Sequence, residues 1–266
     1  MAKLRPLVAL LLLALASVSL CQAHEMKVLA SRLVLTKPGD RTTVYLSWGH
    51  ALPVDDLTDS KALERYEHLT PSGKVGGLKF EGVSMQANVI ELKEEGVHQM
   101  IAARKPGLYT FVFDAEGNRV FKRGPKSAVK EGTIDYGMRE QQFAKALIVV
   151  GKPKTEAVKS ADLPIEIVPV EGPAAWRGGQ MVRFRVLCEG KLLAHEQVRA
   201  TYVGFRPDTA RCFASDTDEE GIVSVRVKEP GTWVLRAERR KLAAGKDRDE
   251  YDYDILTATL TLEVRP

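Results

Sequence analysis

Histidine is the residue type in this sequence with the clearest chemistry, because neutral imidazole is the commonest side-chain ligand of transition metals. One histidine, His24, directly follows a segment that has the features of the end of a secretory leader. If the leader is cut after Ala23, the exported chain begins with His24, whose ring and free α-amine can together chelate one metal ion. The α-amine has a reference pKa of about 7.7–8.0, so a metal ion can displace its last proton at neutral pH.

His50 is the candidate for a second ligand. It follows a run of β-branched and aromatic residues, 42–48, which predicts a strand, and binding residues collect where strands end. If the strands that begin at residues 27 and 42 form a simple hairpin, we expect His24 and His50 at opposite ends of it. A crossover between the two sheets of a sandwich would instead bring the histidines together, and the sequence leaves this choice open.

The polar segment 51–75 supplies further candidate ligands. A loop of this length inside a compact domain is more often functional than idle. It contains His68 and the adjacent carboxylates Asp55 and Asp56. We expect these three side chains to complete the metal site.

The remaining patterns do not indicate catalysis. The sequence has no Gly-x-Ser-x-Gly elbow, no His-Glu-x-x-His zinc motif and no glycine-rich phosphate loop, so we predict no catalytic residues. His98 and His195 are interpreted as histidines of strand surfaces. Mixed nitrogen and oxygen donors suit nickel, cobalt, copper or zinc, so the residues predict a divalent transition metal without selecting among these ions.

Residues 1–23 have the organisation of an export signal. Two basic residues precede an apolar run, 7–16, that is too short to span a bilayer, which needs about 20 such residues. Since no second long apolar run follows, we predict a periplasmic protein whose mature chain has no membrane span. Lipidation at Cys21 is the alternative, but Leu20 stands where a lipoprotein signal requires a small residue.

Charge and cysteine content narrow the class of protein further. The chain has 39 basic and 35 acidic residues, and removal of the leader takes away two basic ones, which leaves the charges nearly balanced. That balance argues against nucleic acid as the main partner. Cys188 and Cys212 follow the leader, and in an oxidising compartment we expect them to form a disulfide, with two buried free thiols as the alternative.

The strand pattern predicts an all-β protein with two β-sandwich domains. We expect the N-terminal domain at residues 24–151 and the C-terminal domain at residues 163–266, joined by a polar linker at 152–162. Short strands with regularly spaced turn signals predict that the C-terminal domain is immunoglobulin-like. Its seven candidate strands are 165–170, 181–187, 196–203, 210–214, 222–227, 232–237 and 255–264.

The strand alternation lapses at 136–147, where we predict a short helix or an irregular sheet edge before a strand resumes at 148–150. Within this segment Lys145 can form a buried ion pair with an acidic group. The simpler interpretation is that its stem crosses apolar surface and its ammonium group stays in water. The charged stretch 239–254 is predicted to be an exposed hairpin loop.

Several of these motifs occur in the order seen in one protein family. They are the histidine at the mature end, Trp48-Gly49-His50, Pro106-Gly107-Leu108-Tyr109, the segment 143–151, Pro230-Gly231 before Trp233, Tyr253, and Thr257-Ala258-Thr259-Leu260. Over nearly the whole mature chain the sequence resembles the bacterial periplasmic proteins grouped as domain of unknown function 4198. That family is associated with nickel and cobalt uptake, as a periplasmic component beside a transporter.

The resemblance implies two β-rich domains, export and a divalent-metal partner. It matches His24 and His50 to the family's histidine positions. The sequence departs from the family pattern at Asp55 and Asp56, where more histidine or aromatic character is expected. It also departs just after His24, because an aromatic residue often follows the first histidine more closely in the family than in this sequence.

We therefore expect a periplasmic protein that binds a divalent transition metal, nickel or cobalt before copper or zinc, and presents it to a membrane metal-transporter complex. One alternative is an interaction module of two β-sandwiches that binds no metal. Another is a copper enzyme with oxidative chemistry at the N-terminal histidine, which would need an axial tyrosine, with Tyr45 and Tyr66 as candidates. The expected metal ligands are His24, His50, His68, Asp55 and Asp56.

Overall fold

The fold is known from a computed structural model, which describes residues 24–50, 56–203 and 213–266. These residues form β-strands joined by turns and short 3-10 helices, so the all-β prediction is confirmed. The strands of the N-terminal half are β1 (Glu25–Ala30), β2 (Val34–Leu35), β3 (Arg41–Gly49), β4 (Thr58–Asp59), β5 (Leu63–Leu69), β6 (Val75–Gly77), β7 (Val83–Ser84), β8 (Ala87–Glu91), β9 (Gly96–Arg104), β10 (Gly107–Phe113), β11 (Arg119–Arg123) and β12 (Thr133–Val150).

The C-terminal half continues the pattern of short antiparallel strands. The predicted strand 210–214 falls partly outside the described residues. The strands are β13 (Ile165–Pro169), β14 (Met181–Cys188), β15 (Lys191–Leu192), β16 (Gln197–Tyr202), β17 (Phe213–Asp216), β18 (Ile222–Arg226), β19 (Gly231–Leu242) and β20 (Tyr253–Val264). The 3-10 helices are Ser60–Ala62, Lys126–Ala128, Pro173–Ala175 and Gly245–Asp249.

Both halves are assembled on β12, a strand of 18 residues. On one edge, β10 and β9 pair antiparallel with its beginning and its end, and on the other edge β20 pairs parallel with its middle. The prediction of a short helix or irregular edge at 136–147 is therefore wrong. Alternation lapses there because residues 139–141 are polar and all partly buried, and residues 142–150 are buried on both faces of the sheet.

The sheet that contains β12 runs through both halves of the chain. It has eleven strands in the order β17-β16-β19-β20-β12-β9-β5-β6, with β2, β10 and β11 attached at its side. The parallel pairing of β12 with β20 joins residues on either side of the segment 152–162 by backbone hydrogen bonds. The domain boundary at that segment stays a prediction.

Two smaller sheets pack on opposite faces of this shared sheet. The three-stranded sheet β1-β3-β8 packs on the face that presents Ala144, Ala146 and Ile148. The four-stranded sheet of β13, β14, β15 and β18 packs on the other face, against Phe143 and Leu147. The protein is thus two β-sandwiches with one sheet in common, and the C-terminal one has the two-sheet antiparallel arrangement expected of an immunoglobulin-like fold.

Lys145 forms an ion pair with Glu166 of β13 in the interior of the C-terminal sandwich. The two side chains are 2% and 1% exposed, so the interpretation of Lys145 with its charge in water is wrong. The Ser160 hydroxyl and the Ala161 backbone N–H also donate to the Glu166 carboxylate. Burial lowers the pKa of Lys145, and the facing carboxylate opposes that shift.

Two segments predicted to be loops contain strands. Within 51–75, the described residues form β4, a 3-10 helix and β5, whose half-buried polar side chains hide the strand alternation. In the stretch 239–254, β19 extends to Leu242 and β20 begins at Tyr253, so the connection is shorter than predicted. Long antiparallel pairing of β19 with β20 accounts for the difference.

The predicted Cys188–Cys212 disulfide is not found. Cys188 is a free thiol whose pKa is raised by burial, and Cys212 lies outside the described residues. The leader, residues 1–23, lies outside them as well. Within the described ranges, no helix is long and apolar enough to cross a membrane.

Candidate metal site and the adjoining cleft

The pairing of β1 with β3 brings His24 and His50 together. The strands are antiparallel, and Glu25 lies opposite Gly49, so the residue before β1 is next to the residue after β3. The two imidazole ring centroids are 4.5 Å apart, with the rings nearly perpendicular. The expectation that a simple hairpin separates these histidines is wrong, because antiparallel pairing places the start of one strand beside the end of the other.

Asp56 is placed beside His24 by a short backbone contact with the end of β3. The Asp56 backbone N–H donates to the Trp48 carbonyl oxygen at 3.0 Å. The Asp56 Oδ2 atom lies 3.2 Å from His24 Nδ1, and both side chains are partly exposed. Of the adjacent carboxylates expected at the site, Asp56 is therefore close to His24, and Asp55 lies outside the described residues.

Gln142 of β12 holds the backbone from which His24 projects. Its side-chain oxygen accepts a hydrogen bond from the Met26 backbone N–H at 2.8 Å, and its side-chain amide donates to the His24 carbonyl oxygen at 2.7 Å. The Thr259 hydroxyl of β20 donates to the Met26 carbonyl oxygen at 2.7 Å. The beginning of β1 is thus attached to both central strands by buried hydrogen bonds.

Glu25 and Lys27 are buried charged residues next to the histidine pair. The Lys27 ammonium group donates to the Gly49 carbonyl oxygen at 2.9 Å and lies 3.7 Å from the Glu25 carboxylate. Glu25 also lies 3.0 Å from the guanidinium of Arg236 on β19. Because buried charges are stable only when paired, these contacts fix β1 and β3 relative to the shared sheet.

The structure does not bring His68 to this site. His68 Nε2 lies 2.8 Å from His98 Nδ1, and His98 Nε2 lies 2.8 Å from the Glu94 carbonyl oxygen. Burial lowers the pKa of both histidines, that of His68 to about 4. A neutral His98 that donates to Glu94 accepts from His68 at its other nitrogen. His98 is buried, so its interpretation as a strand-surface histidine is wrong.

Side chains alone do not form a complete metal site here. Within the ranges that the structure describes, no three histidine, cysteine, aspartate or glutamate side chains are arranged to hold a metal ion. His24 contacts His50 on one side and Asp56 on the other. A metal ion at His24 would therefore need a donor in addition to these side chains.

A cleft of about 740 Å³ adjoins the two histidines. Clefts of about 300–1,000 Å³ are the size that accepts organic ligands. The aromatic residues that line it are Trp48, Tyr109, Phe111, Phe121 and Tyr136. Five arginines also line it, namely Arg104, Arg123, Arg199, Arg236 and Arg240. The acidic residues are Glu25, Asp56, Asp59, Glu140 and Glu238.

Arg104, the last residue of β9, lies over the Trp48 indole, with 3.8 Å between the guanidinium carbon and the ring centroid. His24 contacts the same indole, at a ring-centroid distance of 5.6 Å. Burial lowers the pKa of Arg104, and the charge of Arg123 adds to this effect, while Tyr109 and Glu140 oppose it. Burial also raises the pKa of Glu140, which accepts a hydrogen bond from Gln142.

The tyrosines proposed for a copper enzyme do not line this cleft. Tyr66 is buried in the N-terminal core and packs against Phe80, and neither it nor Tyr45 is among the described residues of the cleft wall. Tyr109 and Tyr136 do line it. Sequence reasoning missed Arg104, although it precedes a Lys-Pro-Gly turn and so ends a strand just as His50 does.

Comparison with known proteins shows the family of the chain but not its function. A family model described as "Domain of unknown function (DUF4198)" matches residues 21–241. The search of curated proteins found no match. Among solved structures, the D0-D1 domain of intimin has a TM-score of 0.24 at 10% identity and covers 92% of this chain and 100% of its own. The chicken CNTN1 FN1-FN3 domains have a TM-score of 0.24 at 9% identity, with coverages of 92% and 99%. Similarities this low support no argument about this chain.

Proposed function

The chain belongs to the DUF4198 family, and we propose that it is an exported periplasmic protein that binds a divalent transition-metal ion and delivers it to a membrane metal transporter. Nickel or cobalt is the preferred cargo in this proposal, and copper or zinc is the alternative. The support for export is the organisation of residues 1–23 and the boundary after Ala23.

The observation that carries the proposal is the contact between the His24 and His50 rings, whose centroids are 4.5 Å apart. These residues are 26 positions apart in the sequence, and two buried polar networks hold the strands from which they project. Rigid support of this kind is what a ligand pair needs to keep its geometry when the ion leaves.

Cleavage after Ala23 would create the donor that the side chains lack. The new α-amine and the Nδ1 atom of His24 can close a chelate ring on one ion, and His50 can add a third nitrogen. His24 Nδ1 lies 3.2 Å from Asp56 Oδ2, so the ion must either replace this contact or accept the Asp56 carboxylate as an oxygen ligand. The affinity order alone favours copper, so a preference for nickel or cobalt would depend on geometry and metal supply.

Calorimetric titration with nickel, cobalt, copper and zinc tests this function. The protein that begins with His24 is compared with a variant that carries one extra glycine before it. We expect the extension to weaken binding at least tenfold because it converts the amine into an amide. His50→Ala should weaken binding similarly, and the exposed His195→Asn should have no effect.

Two results would overturn the proposal. One is the absence of binding at micromolar concentrations for all four ions. The other is unchanged affinity in both the extended protein and His50→Ala. Mass spectrometry of native material provides an independent check, because a first residue other than His24 removes the chelating amine.

A further inference from the structure

The cleft beside His24 and His50 is much larger than a bare metal ion requires. Metal–nitrogen distances are about 2 Å, so an ion bound by two histidines fills only a small part of a space of about 740 Å³. The remaining volume is also lined by Trp48, Tyr109, Phe121 and Tyr136. This part of the cleft is of a size that fits an organic molecule.

Most of the arginines in the cleft have no carboxylate partner within the part of the chain that the structure describes. Arg236 pairs with Glu25 and Glu238. Among the described residues, no carboxylate lies within 4.0 Å of the guanidinium of the other four, Arg104, Arg123, Arg199 and Arg240. Unpaired guanidinium groups that share one cleft are suited to a ligand with several negative charges.

The register of the shared sheet strengthens this conclusion. Arg199 of β16 lies directly opposite Arg236 of β19. Like charges at opposed positions of an antiparallel pair destabilise a sheet. Among the described residues, the Arg199 side chain donates to the Gln197 side-chain oxygen, at 2.7 Å. Glu25 and Glu238 already pair with Arg236, so Arg199 is the arginine of this opposed pair that can accept an anion.

The rest of the wall suits the carbon skeleton of an organic ligand. The rings of Tyr109 and Phe121 are stacked, with centroids 5.2 Å apart, and those of Phe111 and Tyr136 lie 4.9 Å apart. These rings offer apolar surface beside the guanidinium groups. Besides its five acidic residues, the cleft therefore combines an apolar wall, four arginines without a carboxylate within 4.0 Å among the described residues and, next to Trp48, the histidine pair.

We propose that this cleft binds an organic polycarboxylate that carries the metal ion as a chelate. The chelator's free carboxylates would pair with Arg104 and Arg123, and its ion would contact His24 and His50. A carboxylate suits this role because it binds both guanidinium groups and divalent transition metals. The inference rests on the proposed metal-binding function and identifies the form in which the cargo arrives.

The test uses nickel(II) and citrate as probes on the protein that begins with His24. Nickel is titrated first, and citrate is then titrated into the nickel-loaded protein and into the metal-free protein. We expect one citrate to bind the loaded protein with retention of nickel, at least tenfold tighter than it binds the metal-free protein. Arg104→Gln and Arg123→Gln should each weaken citrate binding about tenfold and leave nickel affinity within twofold.

The matched control is Arg226→Gln, an exposed arginine of β18 outside the cleft, which should bind citrate as the unmodified protein does. Arg123 is exposed, so its replacement tests the cleft even if Arg104→Gln fails to fold. Nickel binding followed by removal of nickel by citrate would overturn this inference and leave the proposed function intact. Citrate affinity that is unchanged in both cleft variants would also overturn it. Absence of nickel binding would reject the proposed function, and this inference with it.

Discussion

At the scale of single residues, one buried amide controls the start of the first strand. Gln142 is 3% exposed and bonds to the backbone on either side of Glu25, at the Met26 N–H and the His24 carbonyl oxygen. Its amide also donates to Glu140, a residue of the cleft wall. The position of His24 therefore depends on a residue 118 positions away.

Gln142→Leu should destabilise the protein and weaken metal binding. Leucine leaves the Met26 N–H and the His24 carbonyl oxygen without their partners, and each buried unsatisfied group costs about 1–3 kcal/mol. We expect a loss of about 2–4 kcal/mol in the free energy of unfolding, measured with urea. Gln141→Leu, which removes only a contact with Glu64 at the surface, should change stability by less than about 0.5 kcal/mol. Equal effects of the two substitutions would contradict this role of Gln142.

The paired histidines His68 and His98 should make stability depend on pH. The pKa of His68 is about 4 in the folded protein and about 6.5 in an unfolded chain. Above pH 6.5 both states are neutral at this residue. As the pH falls from 6.5 towards 4, His68 binds a proton in the unfolded chain but not in the folded protein. Folding therefore becomes less favourable.

His68→Gln should reduce this pH dependence. Glutamine keeps an N–H donor for His98 Nδ1 but does not titrate. We expect the decrease in melting temperature between pH 6.5 and 4 to be smaller by a few degrees in this variant. His195→Asn removes an exposed histidine and serves as the control. A decrease of the same size in His68→Gln and in the unmodified protein would show that the pair is not the cause.

The sequence predicted that His24, His50 and Asp56 contribute to one metal site, but it did not show how close together they lie. Strand propensity located both strands, whereas their adjacency follows from an antiparallel register that depends on long-range packing. His68 was included because it lies in a polar segment. That segment forms β5, which pairs with β9 and therefore directs His68 to His98 instead.

At the scale of elements, β12 shows why a strand can lack the alternating sequence pattern by which strands are predicted. Ala144, Ala146 and Ile148 face the three-stranded sheet, and Phe143 and Leu147 face the four-stranded one. Residues 142–150 lack the regularly exposed positions that reveal alternation, and their polar residues, Gln142 and Lys145, are buried as well. Strands with one exposed face, such as β14 with its alternating burial, were predicted to within a residue for the same physical reason.

The ion pair between β12 and β13 should be essential to stability. Lys145→Met leaves the Glu166 carboxylate buried without its cation, which costs about 3–5 kcal/mol. Adding Glu166→Gln should recover part of this loss, since an amide oxygen in place of Oε2 still accepts from both Ser160 and Ala161. Lys191→Met, at an exposed position of β15, is the control. Denaturant unfolding measures all four proteins, and a single variant as stable as the control would refute the assignment.

At the scale of the whole molecule, the shared sheet couples the two sandwiches. β12 and β20 are hydrogen-bonded along 138–146 and 253–261, so opening either half exposes a sheet edge of the other. The pattern of strands predicted two sandwiches, but it could not show a common sheet, because parallel pairing between distant strands leaves no local sequence signal.

We expect the two halves to unfold in one transition. Trp48→Phe leaves Trp176 and Trp233, both 1% exposed in the C-terminal core, so that tryptophan fluorescence reports that half alone. Circular dichroism reports the strands of both halves. The two denaturation curves should coincide. Separate midpoints would show that the halves unfold independently.

The hydrogen bond from Thr259 to the Met26 carbonyl oxygen spans 233 positions. During biosynthesis, the segment that contains Met26 is synthesised long before Thr259, to which it is bonded in the folded protein. The nascent protein therefore cannot complete the anchoring of β1 until the strand that contains Thr259 has been synthesised. Chains truncated before that strand should lack this hydrogen bond and hold the beginning of β1 less firmly.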